Sequence, residues 1–259
     1  MVKDLDGKVG LILGGSSGLG FASAQKLAAH GMRLIIVYRA SRIQVNTIQA
    51  RFDTLEHAAQ HLYINADATS SIKLPSIIEQ VTAFLDKRKI YLLLHSISKG
   101  NLKPMTGDNP LNVGDFEQTV HSMGISLYEW SQALISKELI ANPARIISFT
   151  SEGNQRPMPG YAAVSAAKAT LEAITRNMAL EFARHGITTN CIQAGVTDTE
   201  SLQRIPNYEQ LKAHSLERNP MNRLTQPEDV ANVVYVLCRP ESDFINGTII
   251  KVDGGESLI

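Results

Sequence analysis

The chain has 259 residues, 44% of them hydrophobic, with 25 basic and 25 acidic side chains and a formal net charge of zero. That size and balance suit a chain that buries a large core, and they exclude both a disordered chain and an electrostatic nucleic-acid binder. No apolar run reaches the length, about 20 residues, needed to cross a bilayer, and the opening Met-Val-Lys-Asp-Leu-Asp-Gly-Lys is no signal peptide. Cys191 and Cys238 form no metal-ligand or redox motif. A cytoplasmic protein with reduced, buried thiols is expected, without membrane insertion, metal or nucleic-acid partner.

Short Val-, Ile- and Leu-rich runs alternate with longer amphipathic stretches. Strands are predicted at 9–13, 34–38, 61–65, 90–95, 145–149, 188–192 and 248–252, with helices at 19–30, 71–86, 115–139 and 161–184 among them. The strands are nearly continuously apolar, as strands covered on both faces are. The alternation predicts an α/β fold: a doubly wound, seven-stranded parallel sheet with helices on each face, in one domain over 1–259. The polar stretch 198–219, with Leu202, Ile205, Tyr208 and Leu211, breaks the rhythm. It is expected to be a small lid over the substrate, not a linker.

The first strand runs into Gly14-Gly15-Ser16-Ser17-Gly18-Leu19-Gly20, directly before a helix. Glycines here permit a tight turn and let the backbone approach a pyrophosphate at the helix N-terminus. The second strand ends in Val37-Tyr38-Arg39-Ala40-Ser41-Arg42. It has no carboxylate for a ribose 2′-hydroxyl and two guanidinium groups suited to a 2′-phosphate, so NADPH is the expected cofactor.

Tyr161 and Lys168 stand seven residues apart in Gly160-Tyr161-Ala162-Ala163-Val164-Ser165-Ala166-Ala167-Lys168. On a helix, two turns put both on one face, about 10 Å apart along the axis. With the Gly-x3-Gly-x-Gly spacing of Gly14, Gly18 and Gly20, this pair resembles the short-chain dehydrogenase/reductase superfamily, whose fold is of Rossmann type. Most of that superfamily places three residues between its tyrosine and lysine, which is Val164 here. The longer gap resembles the bacterial enoyl-[acyl-carrier-protein] reductases. His95-Ser96-Ile97, where most members carry Asn-Asn-Ala-Gly, resembles their type I enzymes. The tail Gly255-Glu256-Ser257-Leu258 and the run 198–202 resemble the NADPH-dependent type III enzyme.

The resemblance implies that Asp67 and Ala68 lie beside the adenine, and that Gly195 and Val196 meet the nicotinamide. It also implies that Thr199 meets the pyrophosphate, that Lys168 holds the ribose, and that Tyr161 meets the substrate oxygen. His95, Ser96 and Ile97 join the cofactor set, and Ser151 takes the position of the serine that orients a carbonyl in ketoreductases. The substrate implied is an enoyl group on acyl carrier protein or coenzyme A, and the assembly implied is a homotetramer. A displaced phenol has a chemical rationale: in an enoyl thioester the hydride lands on Cβ while charge gathers on a more distant oxygen. Two other readings remain open, a ketoreductase using Ser151 and a non-catalytic NADPH-binding regulator.

Overall fold

The computed structural model describes residues 3–205 and 207–259. Seven strands, β1 (Val9–Leu13), β2 (Arg33–Tyr38), β3 (Leu62–Asn65), β4 (Ile90–His95), β5 (Ile140–Ser151), β6 (Ile187–Ala194) and β7 (Ile249–Val252), make one parallel sheet in the order 3-2-1-4-5-6-7. All seven coincide with predicted strands, with β5 and β6 extended at both ends.

Alternation along each strand builds a core on either face. Ile12, Ile36, Leu94, Ile147 and Ile192 pack with α1 (Gly18–Ala29), α2 (Val45–Phe52) and α8 (Pro227–Leu237). Leu11, Leu13, Ile35, Leu93 and Ile146 pack with α3 (Leu74–Leu85), α5 (Ser126–Ser136) and α6 (Ala162–Phe182). Sequential strands run outward from β1 in one direction and from β4 in the other. The crevice beyond the carboxyl ends of these two strands is where such sheets bind ligands.

Two predicted helices differ in detail. The stretch expected as one helix at 115–139 is α4 (Val113–Val120), a π-helical turn at His121–Ile125, and α5. The turn buries Ser122, Met123 and Gly124. Tyr161 is not in the helix predicted from 161. It is the residue just before α6, with φ −106° and ψ 1°, so the phenol enters the site from the helix start. The stretch 198–219 contains a short 3-10 turn, Leu202–Arg204, and α7 (Tyr208–Arg218).

Candidate active site

At the carboxyl edge of the sheet lies a cleft of about 1040 Å3, lined from the glycine loop at one end to α7 at the other. Gly14, Ser16, Ser17, Gly18 and Leu19 form its floor at the start of α1. Gly14 has φ +87°, which favours glycine. Gly20 lies outside the cleft wall and serves packing, since a Cβ there would stand 2.4 Å from the Gly14 carbonyl oxygen. The Ser17 side chain does not cap α1 and its first turn has no acidic residue, leaving its amide donors for an anion.

Arg39 lies in the wall beside Asp67, its guanidinium donating to Asp67 Oδ2 at 3.4 Å. Lys99 Nζ donates to the same oxygen at 3.0 Å. Burial would raise the Asp67 carboxyl, but hydrogen bonds from Thr69 and Lys99 hold it down at about 2. Ala68, Ser96 and Ile97 continue the wall, and Gly195, Val196 and Thr199 face them. Besides Gly20, two predicted cofactor residues are elsewhere. Arg42 is exposed and outside the cleft lining, although Ser41 before it and Gln44 after it both line the cleft. His95 is buried behind the cleft, on the side of β4 that faces α5.

Ser126 Oγ donates to Ser122 O, so His95 Nε2 must donate to Ser126 Oγ, at 2.8 Å, and Nδ1 has no partner among the described residues. Burial, helped by the nearby Lys168 charge, pushes this imidazole down to about 3, and it stays neutral. His121 bonds Glu129 at 3.2 Å outside the cleft.

The predicted reaction residues converge. The Tyr161 and Ser151 hydroxyls are 3.2 Å apart. Burial raises the Tyr161 pKa, with the Ser151 bond opposing it, so the phenol remains a proton donor at neutral pH. Lys168 is buried, and that burial lowers its pKa to about 8. Its Nζ donates to Phe149 O at 2.7 Å, and its other two N–H bonds remain for groups in the cleft. Val164, at the usual tyrosine position, packs with Met123 and the Tyr161 ring in a small apolar cluster. Leu102, Met158 and Ile205 extend this cluster into an apolar bay beside the phenol.

Sequence reasoning missed the residues that hold this arrangement. Glu172, one turn beyond Lys168, is buried and accepts from Thr150 Oγ1 at 2.7 Å and Asn154 Nδ2 at 2.6 Å, tying the Ser151 turn to α6. Arg51 on α2 donates to Ser16 O and props the glycine loop from below. Gln193 on β6 lines the cleft, and its buried Oε1 has no partner among the described residues. Of the basic residues in the 198–219 stretch, Lys212 is held by Asp198 at 2.7 Å and Arg218 by Glu152 at 2.9 Å, while Arg204 lines the cleft. Among the described residues no cluster of His, Cys, Asp and Glu could hold a metal, and no helix is long and apolar enough to cross a membrane.

A glycine loop under a helix start, a buried lysine and a serine–tyrosine pair at the same sheet edge define an oxidoreductase of the short-chain dehydrogenase/reductase superfamily. The chain belongs to the family described as enoyl-(acyl carrier protein) reductase, whose model matches residues 14–257. It is 28% identical to the 3-oxoacyl-[acyl-carrier-protein] reductase of Escherichia coli over 256 residues, 99% of this chain and 100% of that one. It resembles the Bacillus cereus enoyl-acyl carrier protein reductase solved with NADP+ and an indole naphthyridinone, with TM-score 0.89 and 25% identity over 100% of this chain and 99% of that one. A short-chain dehydrogenase from Burkholderia cenocepacia in complex with NADP matches at TM-score 0.82 and 28% identity, over 98% and 99% of the two chains.

Proposed function

We propose that this protein reduces the carbon–carbon double bond of trans-2-enoyl thioesters with NADPH. The observation that carries the reading is the apolar Val164 at the usual tyrosine position, with the phenol supplied instead by Tyr161 from the start of α6. The residues lining the cleft fit the cofactor. The uncapped α1 N-terminus would take the pyrophosphate. Arg39, with no carboxylate at the end of β2, favours the 2′-phosphate of NADPH. Lys168 would hold the nicotinamide ribose, with Gly195, Val196 and Thr199 facing it.

When bound, NADPH would supply the hydride that the substrate Cβ accepts. Tyr161 donates its hydroxyl proton as a hydrogen bond to the thioester oxygen, where negative charge gathers. Tyr161 is itself buried, and one oriented donor acts strongly where water is excluded. The Lys168 ammonium adds positive potential, and a proton taken up from solvent at Cα completes the reduction. The apolar bay of Leu102, Met123, Met158 and Ile205 suits the acyl chain, with 198–219 as its lid. The acyl group would arrive on carrier protein or coenzyme A. Exposed Ile125 and Tyr128 near α5 and Leu180 on α6 suit a homotetramer.

A ketoreductase reading is favoured by one observation, the 3.2 Å contact of Ser151 with Tyr161, since such a pair also grips a ketone oxygen. NADPH oxidation with crotonyl and acetoacetyl thioesters side by side separates the two. Crotonyl turnover is expected; acetoacetyl turnover alone would overturn the enoyl reading.

A further inference from the structure

The far end of the cleft carries a second set of buried charges that the chemistry above leaves unused. Glu256, only 2% exposed, sends its carboxylate back under β6, where Oε2 accepts the Val196 N–H at 3.1 Å. Its own carbonyl oxygen accepts from Arg218 Nη2 at 2.8 Å. Arg218 is the last residue of α7 and is itself buried. The same Nη2 reaches both oxygens of Glu152, at 2.9 and 3.1 Å, and Nε donates to Ile259 O at 3.0 Å. Arg218 Nη1 stands 3.9 Å from Glu256 Oε1, close but beyond hydrogen-bond range. One arginine therefore joins α7, the tail, and the residue that follows Ser151.

We propose that Glu256 is a positioning residue that couples cofactor seating at the Val196 N–H to the placement of α7 through Arg218. The inference rests on reading this cleft as an NADPH site with its nicotinamide end at Val196. An amide nitrogen has one hydrogen to give. A carboxamide oxygen arriving at Val196 must take that hydrogen from Glu256. A buried carboxylate so displaced needs a new partner. The guanidinium that already holds the Glu256 backbone stands 3.9 Å from its carboxylate, and closing that gap adds a charge-assisted hydrogen bond to the ion pair.

That pair draws the C-terminal end of α7 toward the tail. Leu211 and Ser215 of α7 line the cleft, so the same movement reshapes the acyl side. Ser215 Oγ and Ser257 Oγ, buried and without partners among the described residues, sit on the two surfaces that would approach. By linkage, whatever cofactor does for the acyl site, acyl substrate must do equally for the cofactor site.

Glu256→Gln separates coupling from architecture. The amide oxygen can still accept the Val196 N–H, but a neutral side chain has no drive toward Arg218. Calorimetry on the full chain gives the NADP+ dissociation constant with and without saturating crotonyl-coenzyme A, a pair that does not react. In the wild type, crotonyl-coenzyme A should tighten NADP+ roughly fivefold or more. In Glu256→Gln, the ratio should fall to within about twofold of one. Arg218→Lys keeps a cation but loses the fork, and provides the second variant should the first fold poorly. It should lower the ratio as well, and the double variant should lower it no further. A wild-type ratio near one, or a ratio retained in both variants, overturns the proposal while leaving the NADPH reading intact. A wild type that binds no NADP+ overturns both.

Discussion

Gly153 offers the sharpest test of how the phenol is held. It is buried in the turn after Ser151, and a Cβ built on it would stand 2.4 Å from Tyr161 Cε1, 2.8 Å from Cδ1 and 3.1 Å from Met158 Cε. Ordinary carbon contacts need about 3.5–4.0 Å, so Gly153→Ala requires the ring and the turn to part by roughly 1 Å. The contact at risk is the 3.2 Å pairing of Tyr161 with Ser151. Misplacement on that scale costs about 10²-fold in turnover, while the overpacking itself costs about 1–3 kcal/mol of stability. The assay is steady-state NADPH oxidation with crotonyl thioester, alongside NADPH binding and thermal melting. Turnover should fall about 100-fold with NADPH affinity nearly unchanged, because the clash is with the phenol and not with the cofactor wall. Tyr161→Phe should itself lose about 10²–10³-fold, as removal of one oriented donor does. Adding Gly153→Ala to that variant should lower turnover by less than about threefold more, since the group it displaces no longer acts. Wild-type turnover in Gly153→Ala, or two effects that multiply in full, would refute the reasoning.

Lys168 gives a pH dependence whose sign follows from its lowered pKa. In the free protein the ammonium persists below about 8 and is lost above it. Binding a cofactor that favours the ammonium must then take up a proton, so NADPH affinity should be flat below that pH and weaken by about tenfold per unit above it. Titrations of wild type and Lys168→Met check this, and a slope persisting in the variant would assign it to another group. Arg39→Ala should weaken NADPH by about 10–100-fold, the worth of charge-assisted hydrogen bonds to a phosphate, and leave NADH binding as it was. Equal losses for both cofactors would remove Arg39 from the 2′-phosphate.

Strand positions were legible because residues buried on both sides must be apolar nearly throughout, as all five residues of β1 are. Helix α2 was not among the predicted elements, and only Ile48 and Phe52 bury along its eight residues, too few to set a period. The glycine loop and the Tyr161–Lys168 pair were legible because local spacing defines them. Glu172 and Arg218 were not, since their partners lie on other elements and a charged residue on a helix gives no sign of which way it faces. Arg42 stands outside the cleft lining for a related reason: composition names the guanidinium groups at a strand end but not which of them faces the cleft.

The π turn at His121–Ile125 sets the rotational phase between α4 and α5. Each residue of an α-helix advances its side chain by about 100°. Taking out one residue at this turn to make an unbroken α-helix would spin every side chain of α5 by that angle relative to α4. Leu127, Trp130 and Leu134, all buried, would leave the sheet face, and the Trp130 indole would lose the Ala68 carbonyl that it holds at 2.8 Å. Because Ala68 belongs to the cleft wall, one backbone irregularity lets a helix keep one face on Met123 and the bay while another face braces the opposite end of the site.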